Sequence, residues 1–119
     1  MILTDKQRIA ICCVLLDIAK SCHCTASLSN SPRFDTLREL TEIAPADFAA
    51  ATQVSVIASL AVLKEIHYKL KMVLGLLVCE YISNSSITAV ESHITFDVLM
   101  SAIDWKISFS EMMAISKTH

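Results

Sequence analysis

Apolar residues recur along this chain at three- and four-residue intervals, broken by short polar stretches, and the pattern predicts helices throughout. From His67 to Trp105 the rhythm is clearest: a nearly all-apolar stretch to Tyr81, the polar ISNSSIT, then AVESHITFDVLMSAIDW. The first part predicts a central helix over Tyr68–Ser83, with Leu70, Val73, Leu74, Leu77 and Tyr81 on one face. In the second, Thr88 and Glu91 have the spacing of a capping box, and Phe96, Leu99, Met100 and Ile103 form the core face of the helix that follows. Upstream, Thr4 and Gln7 set a capping box for the first helix, which is apolar over most of its circumference and therefore expected to be packed on several sides. Ser21–Asn30 is short-chained and loop-like.

Ser31-Pro32 then opens a second helix, running to about Glu42 with Phe34, Leu37, Leu40 and Ile43 inward. Ala44-Pro45 restarts a helix, with Asp47 placed to suit its N-terminal dipole. Ser55 caps a short helix, VIASLAVLKEI, whose inward residues are expected to be Ile57, Leu60, Leu63 and Ile66. Ser108 and Glu111 form a further capping box, and Ile107 with Met112 the two positions of a hydrophobic staple, for a short final helix. The expected fold is therefore all-α, a compact bundle of about six to seven helices in a single domain over residues 1–119.

The pattern contains an echo. Phe34-Asp35-Thr36-Leu37 matches Phe96-Asp97-Val98-Leu99 at a shift of 62 positions, which also sets Leu15 on Leu77 and Ser21 on Ser83. Two pseudo-repeated helix–loop–helix units are expected, packed about a pseudo-twofold.

These residues resemble the TerB-like domains, a family named for tellurite resistance. In that family each central helix ends in Ala-x-Ala-Asp-Gly-x-Ile, followed four residues later by Glu. Here the second unit reads Tyr81-Ile82-Ser83-Asn84-Ser85-Ser86-Ile87, then Glu91, which keeps the spacing, the isoleucine and the glutamate but replaces Asp-Gly by Asn84-Ser85. The first unit reads Ala19-Lys20-Ser21-Cys22-His23-Cys24-Thr25, then Ser29, and has lost both acids. The ending DWKISFSEM is similar to the family's last turn and helix. The resemblance implies a compact helical module linked to stress and metal-oxyanion resistance that works in complexes, with acidic loop residues as proposed metal ligands. Of such a site only the acid Glu91 remains, with Asn84 in the place of the second unit's aspartate.

Composition narrows the chemistry. The single glycine, Gly75, lies mid-helix, where it permits close packing, so the glycine-dependent phosphate loops and nucleophile elbows are missing and no enzyme is expected. With a net charge of −2 and mixed signs along the chain, no nucleic-acid partner is expected. Although 54% of residues are hydrophobic, acids end the longest apolar runs (Asp17, Glu80), so no transmembrane segment is expected. Asp17 and Lys20 also spoil the likeness of the first residues to a secretion signal, and the expected location is the cytoplasm.

Cys22, His23 and Cys24 are the alternative chemistry, a divalent metal such as zinc held by a metal-stress sensor. Zinc requires four ligands, so Cys79, His93 or Cys13 would have to complete the set; a polar loop with two thiols is the simpler reading. Glu91 is explained by the capping box, and Asp35 and Asp97 read as early-helix acids. His67 with Lys64, Lys69 and Lys71 makes a small basic patch, and Trp105 is expected in the core. The apolar excess and the adjacent Met112 and Met113 point to a protein partner or a homodimer, docked near the last helix.

Overall fold

The computed structural model describes residues 3–21, 32–83 and 89–118, and among these it contains seven helices and no strand. They are α1 (Asp5–Ser21), α2 (Pro32–Thr41), α3 (Pro45–Ala51), α4 (Val56–Leu63), α5 (Tyr68–Ser83), α6 (Ala89–Ala102) and α7 (Phe109–Thr118). The radius of gyration, 13.1 Å, sits close to the ~13.5 Å of a compact chain of this length.

Local chemistry sets where the helices begin. The Gln7 amide donates to Thr4 Oγ1 at 3.2 Å while Gln7 Oε1 accepts from the Thr4 amide at 3.0 Å, a reciprocal capping box. Ser55 Oγ accepts from the Ala58 amide at 3.1 Å to open α4. At α3, Pro45 takes the first helical position and Asp47 reaches back to the Ala44 amide at 2.9 Å. At α7, the Glu111 amide donates to Ser108 Oγ, and the Glu111 carboxylate takes the serine hydroxyl rather than its amide. Two caps were not legible in the sequence. His67 Nδ1 accepts from the Lys69 amide at the start of α5, and Asp97 Oδ1 accepts from the Phe109 amide at the start of α7. Asp97 lies midway along α6, so it serves the next helix rather than its own first turn.

Helix α1 is buried continuously from Ala10 to Leu15 because α3, α4 and α5 all pack on it. The face of α5 expected to be inward is buried at Leu70, Leu74, Leu77 and Tyr81, with Val73 half-buried. Gly75 faces α7 so closely that an added Cβ would stand 2.8 Å from Met112 Cε. Phe96, Leu99, Met100 and Ile103 of α6 all enter the core.

Several expectations require correction. Leu40 is 39% exposed, and Thr41 points inward instead, its hydroxyl donating to the Leu37 carbonyl at 2.7 Å. Ile57 is 82% exposed, whereas Ser59, Leu63 and Ile66 are buried. Trp105 is half-buried rather than fully enclosed.

Adding 62 carries 5–21 to 67–83, against α5 at Tyr68–Ser83, and 45–51 to 107–113, within reach of α7 at Phe109–Thr118. Phe34 and Phe96 are both buried, as are Leu37 and Leu99. The shared pattern reaches the chain reversals as well. Glu42 and Asp104, again 62 apart, both have φ of 59° and end α2 and α6 in the left-handed conformation. At Asp104 the Trp105 amide bonds the Met100 carbonyl at 2.8 Å, the long bond of a Schellman motif. The packing is less symmetric than the sequence. Contact of α1 with α3 is matched by α5 with α7, but α2 lies on α5 while α6 has no comparable contact with α1. Helix α4 lies along α1.

Candidate functional site

The thiol and acid candidates separate into those the structure describes and those it does not. Cys22, His23, Cys24 and Asn84 lie outside the described residues, as does the Thr88 side of the capping box. Glu91 is exposed in the first turn of α6, where a negative charge suits the helix dipole. Cys12, Cys13 and Cys79 are free and buried. Burial pushes the Cys12 thiol up to about 12, with the Asp47 charge adding to the effect. It pushes Cys79 up to about 11, with the Arg33 charge opposing. Both thiols are therefore protonated at neutral pH and poor as nucleophiles or ready-made metal ligands. Cys13 Sγ donates to the Val54 carbonyl at 3.8 Å, and His93 is exposed, edge-on to Phe109 at 4.9 Å. Among the described residues no three His, Cys, Asp or Glu side chains converge as a metal site would require.

The expected basic patch is also dispersed. Lys71 is buried, its ammonium donating to the Lys64 carbonyl at 2.9 Å and so tying α5 to the end of α4. Asp35 pairs within α2 with Arg38 at 3.1 Å. Asp47 does more than suit a dipole, because Arg8 also reaches it at 3.5 Å and joins the starts of α1 and α3.

The feature that stands out is apolar. Helix α4, VIASLAVL, has no charged residue, yet only Ser59 and Leu63 are buried. Such a helix would ordinarily be enclosed. Instead Ile57 stands outward, with Ala58 and Ala61 exposed beside it, and the helix forms an apolar ridge. A groove runs along each flank. One, of about 260 Å³, lies against the start of α1 and is lined by Lys6, Ile9, Ala10, Val54, Ala58 and Val62. The other, of about 390 Å³, lies between α4 and α6. Its walls are Val56 and Leu60 on one side and Ile94, Val98 and Leu99 on the other, with Asp17 and Ile18 of α1 also lining it.

Helix α6 widens this face. Val90, Ile94 and Val98 are spaced four apart and are 68%, 58% and 64% exposed, a second apolar stripe opposite the one facing the core. The apolar surface therefore lies on α4 and α6 and not near the last helix. There Met112 is fully buried and Met113 packs half-buried against the core. The readable signal was the absence of charge from α4 together with the surplus valine–isoleucine stripe of α6.

Models of known protein families, curated proteins and solved structures give no match to this chain. No helix among the described residues is long and apolar enough to cross a membrane.

Proposed function

We propose that this chain is a non-enzymatic, cytoplasmic, TerB-like helical module that works by docking another protein on the face formed by α4 and α6. The observation that carries the reading is the uncharged α4 ridge with Ile57 82% exposed, bordered by the groove whose far wall is Ile94 and Val98. A contiguous apolar surface of this kind marks an interaction site rather than ordinary scatter of exposed side chains. Two observations support a role without catalysis: Cys12 and Cys79 are held protonated by burial, and the glycine turns of the common nucleophile and phosphate sites are missing from the sequence. A role in stress response rests on the resemblance of the Tyr81–Glu91 segment and the DWKISFSEM ending to the TerB-like pattern.

Photo-crosslinking tests the docking face. A benzophenone amino acid at Ile57 or at Val98 is expected to yield protein adducts in the cells that express the chain, and the same probe at exposed Glu39 of α2 is not. Adding Ile94→Asp should remove the adducts without lowering helicity, because Ile94 contributes little to the core. Equal labelling at Glu39, or none at Ile57 and Val98, would refute the reading.

A further inference from the structure

We propose that the partner on this face is a second copy of the chain, bound so that α4 of each protomer lies antiparallel to its counterpart in the groove between α4 and α6. The inference rests on the docking reading above and gives it an occupant.

A twofold interface must be complementary to itself, offering on one surface both what inserts and what receives. This face does so. The ridge is α4, eight residues and ~12 Å long. The groove beside it is walled by Val56 and Leu60 of the same helix and by Ile94 and Val98 of α6. Rotating one copy onto another about an axis that runs beside α4, perpendicular to it and level with its middle, sets each ridge into the other's groove, with each Ile57 directed at the outer stripe of α6.

Charge then fixes the direction. Among the lining residues of that groove Asp17 alone is charged; it is half-buried and forms no ion pair among the described residues. Helix α1 runs against the direction of α4. Lys6 and Ile9 share a groove with Val54, Ala58 and Val62, Cys13 meets the Val54 carbonyl just before α4 begins, and Asp17, a turn further along α1, lines the other groove with Val56 and Leu60. Asp17 therefore stands by the N-terminal end of α4. An antiparallel second α4 brings its C-terminal end to that place, and the residue there is the partner subunit's Lys64. In this chain Lys64 caps α4 and is exposed, and its carbonyl accepts from the Lys71 ammonium. Symmetry makes the Asp17–Lys64 pair twice. A parallel arrangement would set Asp17 against the start of the other α4, which offers it the helix dipole but no charged side chain.

Sedimentation equilibrium of the full chain under reducing conditions provides the test, together with the mass of the adduct formed by the benzophenone at Ile57. The expected results are a concentration-dependent dimer and an adduct of twice the chain's mass. Ile57→Glu should abolish the dimer and leave the circular dichroism spectrum unchanged. Asp17→Lys and Lys64→Asp should each weaken association about tenfold, and the double variant should restore it, as coupled charges do. A monomer at all concentrations, or a dimer indifferent to Ile57→Glu and to the charge swap, would overturn the proposal. Adducts at Ile57 and Val98 of other masses only would overturn it while leaving the docking face in place. No adduct at either position would remove both.

Discussion

Glu42 and Asp104 hold a backbone conformation that L-residues avoid at a cost of roughly 1–2 kcal/mol. Both sit where a helix must stop and reverse, the position at which most chains place glycine. Aspartate tolerates it better, because its short side chain can bond the local backbone; glutamate has one methylene too many. Glycine would remove the strain and return about 0.5–1 kcal/mol of it as lost unfolded-chain entropy. Glu42→Gly is therefore expected to stabilise the protein by about 0.5–1 kcal/mol, and Asp104→Gly by less. Urea denaturation checks this, through a raised midpoint with an unchanged slope. Equal gains at the two sites would show that side-chain bonding is not what separates them.

At the scale of elements, Gly75 decides how closely α5 and α7 approach. Alanine there gains helix propensity of about 1 kcal/mol but sets its Cβ 2.8 Å from Met112 Cε, the movable end of a flexible side chain. The two effects oppose, and Gly75→Ala should fall within about 1 kcal/mol of the wild type. Gly75→Leu has no such accommodation, because Met100 and Met112 both fill that space, and should cost about 1–3 kcal/mol by thermal melting. Helices of this kind were legible in the sequence because their determinants are local: Thr4 with Gln7, Ser55, Ser108 with Glu111, and the spacing of Phe96, Leu99, Met100 and Ile103. Ile57 is not legible for the opposite reason. Which side of α4 faces inward depends on where α1 and α6 lie, and periodicity carries nothing of that in a helix apolar on every side. The docking face was hidden likewise. Ile57 and Leu60 read as core positions in the sequence, and of the two methionines that point to a surface near α7, Met112 is fully buried and Met113 half-buried against the core. The left-handed caps at Glu42 and Asp104 carry no compositional mark at all, since glycine is the usual signal.

For the whole molecule, the buried thiols impose a pH limit. Cys12 and Cys79 rise from an ordinary 9.0 to about 12 and about 11 on folding. The folded chain thus holds protons that the unfolded chain releases. That contribution to stability is complete below pH 9 and is lost as the pH climbs through 11 to 12. Melting temperature should decline across that window, and Cys12→Ala with Cys79→Ala should make the decline shallower even though the starting stability is lower. An unchanged slope would assign the alkaline loss to other groups. A last consequence follows from Trp105, the chain's single tryptophan, half-buried just past the reversal at Asp104 with its indole N–H enclosed and without a hydrogen-bond partner among the described residues. Its emission reads one corner of the molecule, between α6 and α7, whereas ellipticity sums every helix. Should the two units melt apart, the optical trace and the ellipticity would part company. Should they melt as one, a lone fluorophore suffices to follow the entire chain.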